Sequence, residues 1–269
     1  MFHGVLATRT IKNETEKKIA AMLTPFIPCS AKLPIISFFS SYFFKENSGI
    51  VALSFYLLAI VIVCLLSYIF KFLNKNEKEN NYLSELPEYR LPAINQIIKD
   101  SFERVLDFVK RAGSIILLSS IVIWFLLSFS FKLEYEVDIE NSILANCGRK
   151  ISWVFIPMIG YDSWEIAVCT IQGFVAKEQV ISSMAIIAGI EGQNSASNIL
   201  VNKKTFDFLT PVASYAFACF NLFSAPCFSA IGALKKTLGG TSKAIKVICF
   251  QTIFAYVLSC FIYLVFSKV

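Results

Sequence analysis

Histidine occurs once in this chain, at His3, and only 16% of the residues are charged. A single histidine excludes a His-rich metal site, and so little charge excludes the polar surface of an ordinary soluble domain. The phosphate-loop pattern G-x-x-x-x-G-K-[ST] is absent. Residues 239–244, "GGTSKA", hold its ingredients without its spacing, so no nucleoside triphosphate is bound by that route. A nucleophile elbow and a zincin helix are missing too, which leaves catalysis without support. The formal charge of +6 is not gathered into a basic stripe, so nucleic acid is not an expected partner. The opening "MFHGVLATRT" lacks the apolar stretch and cleavage site of a signal peptide, so the helices themselves must drive insertion.

Apolar residues, by contrast, make up 56% of the chain, aromatics 14%, and the mean hydropathy is +0.63. Runs at 49–70, 112–131 and 244–266 are each long enough to cross a hydrocarbon core. Three more runs, 19–44, 164–189 and 206–234, are long but interrupted. Composition and pattern predict an all-α, polytopic helical membrane protein with broken or re-entrant helices, its partner the lipid bilayer. Cys64, Cys169, Cys219, Cys249 and Cys260 lie inside apolar runs, where cysteine behaves as a small hydrophobe, so no disulfide framework is implied.

The positions 45–48 read as a short turn joining the first two apolar runs into an antiparallel pair. Ile94, Ile97, Ile98, Phe102, Val105, Leu106 and Val109 recur at helical spacing, which predicts an amphipathic helix at the interface ahead of the 112–131 span. Residues 71–111 carry 8 Lys or Arg, against 3 in the loop expected at 132–163, so the former is the cytoplasmic candidate. The basic loop expected at 235–246, with Lys235, Lys236, Lys243 and Lys246, then falls on the wrong side. A re-entrant pair of half-helices in 164–189 or 206–234 would restore the parity.

The interruptions are chemically specific. "MLTPFIPCSAKLPI", residues 22–35, places Pro25, Pro28 and Pro34 around Cys29, and each proline removes a backbone donor and clashes with the preceding turn. Breaks of this kind survive in a bilayer only where protein or a water-filled cavity satisfies the freed carbonyls. Those carbonyls and the Cys29 sulfur would suit a small cation; a proline kink with a small core cysteine fits the same residues. "NLFSAPCFSAIG", residues 221–232, repeats the theme with Asn221, Pro226 and Cys227. "GFVAKE", residues 173–178, sets Lys177 beside Glu178 deep in an apolar run, where a charge is costly and marks either a pathway or a structural ion pair. Adjacent helical residues do not face each other, so the two need separate partners unless the helix breaks at Gly173. Discontinuous helices in corresponding places point to a midplane site, and two cysteines with a carboxylate suit a borderline transition metal better than Mg²⁺ or Ca²⁺.

In order along the chain, "ATRT", "LTPFIPCSAKLPI", "LPEYRLP", "KRAGSIIL", "GFVAKE" and "FNLFSAPCFSAIGALKK" resemble the C-terminal membrane part of the ferrous-iron transport protein B family, FeoB. Ala7, Thr8 and Arg9 match the end of one family motif, whereas Phe2 and His3 stand where Val and Pro are expected. The resemblance implies a division into 1–73, a first gate remnant with a FeoB C-terminal-type helix pair; 74–111, a cytoplasmic loop and interfacial helix; and 112–269, a second gate-type region. It implies Fe²⁺ carried into the bacterial cytoplasm across the inner membrane by a multi-pass permease, with Cys29 and Cys227 as metal contacts and Glu178 and Lys177 as gate-region residues. No tightly bound cofactor is expected. GTP would enter only through the family's GTP-binding domain, which these residues do not resemble and which is expected as a separate partner; other subunits and a homo-oligomer are further expected partners. The rivals are a non-transporting remnant or assembly subunit, and a permease for an organic solute such as a nucleoside.

Overall fold

Without water to satisfy backbone groups, an apolar run folds as helix because only the helix bonds every interior N–H and C=O within itself. The computed structural model describes residues 2–73, 94–130, 142–187 and 209–267, and every regular element among them is helical. In chain order these are α1 (Phe2–Ala7), α2 (Glu14–Leu23), α3 (Leu33–Phe43), α4 (Ser48–Leu73), α5 (Ile94–Ser128), α6 (Ile143–Ile151), α7 (Ile156–Ile159), α8 (Trp164–Val175), α9 (Gln179–Ile187), α10 (Pro211–Phe223), α11 (Phe228–Leu238) and α12 (Thr241–Phe266). Short 3-10 turns at Thr24–Phe26 and Ser30–Lys32 join α2 to α3, and another at Ser152–Phe155 joins α6 to α7.

Among the described residues, three segments are long and apolar enough to cross a membrane: Glu14–Phe43, Ser48–Leu73 and Thr241–Phe266. A bent pair, Ile143–Ile159 with Trp164–Val175, turns by 96° at its break and would add a fourth if it counts as one span. The loop expected at 132–163 is therefore helical over much of its described part, because 151–160 is itself apolar. The expected interfacial helix and the apolar run after it form one continuous helix, α5. The expected loop at 235–246 shrinks to a glycine turn. Gly239, at φ +70°, ends α11 in the left-handed conformation that glycine adopts without steric cost, and Lys243 and Lys246 already belong to α12.

At the centre stands α10, where every residue from Ser214 to Phe223 except Tyr215 is buried. It packs against α3, α7 and α12. On α12 the inward stripe is Ala244, Val247, Gln251, Ala255, Ser259 and Ile262, of which Ala244, Ala255 and Ser259 are small enough to allow close helix approach. On α4 the inward stripe is Phe55, Ala59, Ile62 and Leu66, while Leu53, Leu57, Ile60 and Leu65 face outward, as expected of a lipid-facing side. Cross-links tie the layers: Ser54 and Tyr215 share a hydroxyl hydrogen bond of 2.9 Å, Gln251 donates to the Met22 carbonyl at 2.8 Å, and Tyr256 donates to the Val154 carbonyl at 2.7 Å. A second, smaller core joins α1 to α11 through Val5, Ala233 and Leu234.

Gly160 closes α7 at φ +93°, and a Cβ there would collide with Tyr263 Oη and lie 2.9 Å from its Cζ. Gly160→Ala is expected to cost at least about 1–2 kcal/mol from the backbone conformation alone. In thermal unfolding of the purified protein in detergent, Tyr263→Phe should restore only part of the loss, since the ring carbon stays in contact.

Candidate functional site

Three helix breaks meet beside α10. The first runs from Thr24 to Lys32, the second covers Ala176, Lys177 and Glu178 between α8 and α9, and the third runs from Ser224 to Cys227 between α10 and α11. Phe26 stacks near Phe223 with ring centroids 6.5 Å apart, and Phe39 meets Phe217 edge-on at 5.8 Å, so the first break lies against the end of α10. Helix α3 also packs on α9.

Two lysine ammonium groups fill this junction. Lys32 is 1% exposed, and its Nζ donates to the Pro25 carbonyl at 2.7 Å. Lys177 is 2% exposed and reaches from the second break into the third, donating to the Asn221 carbonyl at 2.8 Å and to Ser224 Oγ at 2.9 Å. Its Nζ also lies 5.7 Å from the centroid of the Phe174 ring, within cation–π range. Among the described residues neither ammonium has a carboxylate within ion-pair distance; the ion pair found there is Lys17–Glu14. Lys32 and Lys177 are each within electrostatic range of both Cys29 and Cys227.

Both cysteines occupy equivalent positions. Each has an extended backbone, is partly exposed, and immediately precedes the first residue of a helical segment. Their carbonyls accept the opening bonds of those segments, from Lys32 N at 2.9 Å and from Ala230 N at 2.9 Å. The first break's freed carbonyls are thus partly spoken for: Cys29 serves its own turn and Pro25 holds Lys32. No group of three or more His, Cys, Asp or Glu side chains converges among the described residues.

Several sequence candidates take up different roles from those expected. Pro25 sits in the 3-10 turn and Pro28 in the extended link, both within the break, whereas Pro34 lies in the first turn of α3, where a missing N–H leaves no bond unmade. Pro226 is buried in the third break beside Cys227. Gly173 lies inside α8 and Asn221 inside α10, so the second break falls three residues after Gly173. There the chain turns at Ala176, whose N–H closes α8 on the Gln172 carbonyl at 3.0 Å. The turn separates the adjacent pair, burying Lys177 and leaving Glu178 exposed, and Glu178 forms no common cluster with the two cysteines. The Asn221 amide donates to the Phe217 carbonyl at 3.0 Å, within its own helix, and it is its backbone oxygen that meets Lys177. Lys32 was missing from the expected site. Its signal was present: a lysine deep in an apolar run, the same signal that singles out Lys177.

Apolar helices packed around a junction of broken ones define a polytopic helical membrane protein of the discontinuous-helix kind. Residues 52–104 match the family model for the ferrous iron transport protein B C terminus, and residues 109–241 match the Gate model, described as nucleoside recognition. The chain is 34% identical over 261 residues to the Fe(2+) transporter FeoB of Staphylococcus aureus (strain COL), covering 97% of this chain and 38% of that protein. It is 32% identical over 263 residues to the Fe(2+) transporter FeoB of Methanocaldococcus jannaschii (95% and 38%), and 27% identical over 289 residues to that of Helicobacter pylori (strain 26695; 94% and 44%). The chain belongs to the FeoB family, as its C-terminal membrane part. It spans well under half the length of these relatives. No solved structure matches it.

At Gly173 a Cβ would come within 2.7 Å of Val180 Cγ2 and 3.0 Å of Asn221 Oδ1, so α8, α9 and α10 close on this hydrogen. Gly173→Ala should destabilise the junction by about 1–3 kcal/mol through overpacking. Val180→Ala in the same protein should recover part of that in a thermal-unfolding double-mutant cycle, the residue being the contact with Asn221.

Proposed function

We propose that this chain is the permease part of a FeoB-type Fe²⁺ transporter, with Cys29 and Cys227 as metal contacts along the path. The observation that carries the reading is the meeting of the two Pro-Cys breaks, which start far apart in the chain: Phe26 in the first stacks near Phe223 at the head of the third, and each break has one buried lysine bonded to it. Thiolate ligands favour a borderline transition metal over Mg²⁺ or Ca²⁺. Two thiols leave coordination positions to water and backbone oxygen, which suits an ion that must leave again rather than a resident one. The relatives named as Fe(2+) transporters supply the substrate.

On this reading the chain is multi-pass in the bacterial inner membrane, and nucleotide-driven regulation comes from a GTP-binding domain that the matched C-terminal region does not include. Glu178, exposed on the second break, is placed to meet such a partner or an approaching ion rather than to ligate beside the cysteines. A homo-oligomer is compatible with the outward apolar faces of α4 and α12. The Gate model's description favours one second reading, passage of a nucleoside, for which thiols offer no particular recognition.

In proteoliposomes holding this chain with a FeoB-type GTP-binding domain added in trans, Fe²⁺ uptake should occur. It should fall by at least about tenfold in Cys29→Ser and in Cys227→Ser, at or above the loss typical of an outer-shell metal partner. Uptake of labelled nucleoside, indifferent to both substitutions, would favour the second reading. No uptake of either would make the chain a non-transporting assembly part.

A further inference from the structure

We propose that Lys32 and Lys177 are tethered cations: in the ion-free protein their ammonium groups hold the two helix-break carbonyls on which an entering metal ion would otherwise settle, and so they set how weakly that ion is bound. The inference rests on the reading of Cys29 and Cys227 as metal contacts.

Three observations carry it. Each ammonium sits on a carbonyl at one of the Pro-Cys breaks, that of Pro25 inside the first for Lys32 and that of Asn221 in the last turn of α10, just ahead of the third, for Lys177, at 2.7 and 2.8 Å. Both are buried without a carboxylate in ion-pair distance among the described residues. Lys177 moreover comes from a different break than the one it fills, so it spans the junction rather than closing its own turn. A lysine whose task was only to pair a buried charge would be expected to meet an acid, since a buried charge left unpaired is costly. These two meet oxygens that bear the partial negative charge a metal ion seeks.

The consequence follows from Coulomb's law in a poorly polarisable interior. A divalent ion between the two thiols lies close to two fixed positive charges, and that repulsion offsets much of the attraction of the sulfurs. Passage requires a site favourable enough to enter and weak enough to leave. With the lysines neutralised, the ion would be held and its exit slowed.

The test uses the whole chain, purified in detergent under reducing conditions and titrated with Co²⁺, an air-stable stand-in for Fe²⁺ whose thiolate complexes absorb in the near ultraviolet. Lys177→Gln and Lys32→Gln each keep a hydrogen-bond donor for the carbonyl and remove the charge; Lys177→Arg keeps the charge. Each Gln variant should bind Co²⁺ at least about tenfold more tightly than the unsubstituted protein, as removal of a nearby like charge requires, while Lys177→Arg gives no such gain. Unfolding temperatures identify a variant that has lost its fold, and either Gln variant alone carries the test. A thiolate–Co²⁺ band with unchanged or weaker affinity in the folded Gln variants overturns this inference and leaves the cysteine site standing. Absence of the band from the unsubstituted protein and from both folded Gln variants overturns the cysteine reading, and this inference with it; a band that appears only in the Gln variants supports both.

Discussion

A backbone carbonyl released by a helix break has no water to turn to inside a bilayer, and this constraint shapes the whole centre of the molecule. The three breaks are possible because their freed groups are answered from within the protein. Cys29 and Cys227 accept the first bonds of the segments that follow them, Lys32 turns back to Pro25, and Lys177 crosses from its own break to the Asn221 carbonyl in the last turn of α10 and to Ser224 in the next break. The burial of α10 and the small residues on the inward stripe of α12 serve the same end, because they bring the broken segments close enough for one side chain to reach the next segment's backbone.

The junction joins stability to function through the same atoms. Gly173 keeps α8 within reach of Val180 and Asn221, and that closeness delivers Lys177 to its two acceptors. The lysines that satisfy the breaks also lie within electrostatic range of both cysteines. On the proposed reading of the cysteines, an ion taking the thiols would have to displace or endure them, and the device that makes the broken helices tolerable would also govern how firmly that ion rests.

The identity of the breaks was legible because prolines and membrane-depth charges violate the pattern of a plain span. Cys29, Pro25, Pro28, Pro226, Cys227 and Lys177 all lie within the three breaks. Pro34 did not break a helix because it falls in a first turn, where its missing donor is one that no helix uses. Glu178 parted from Lys177 because the backbone turns at Ala176, and adjacent residues on such a turn face opposite ways. Lys32 stands among the three prolines of the opening stretch, and a lysine buried there calls for an acceptor of its own, which the Pro25 carbonyl provides.

By itself the sequence determined that this chain is helical, that it lives in a membrane, which helices are interrupted and to which family it belongs. Those properties depend on local composition, periodicity and motif, which neighbouring residues carry between them. Only the structure decided that the first and third breaks lie together, that the second sends its lysine into the third, and that the described part of the expected loop at 132–163, like the expected loop at 235–246, is largely helix. Contacts between segments so distant in the chain depend on which faces of nearly uniformly apolar helices pack together. When almost every face is hydrophobic, the pattern of residues names no partner, and the choice falls to side-chain size and to the few polar groups that must be satisfied.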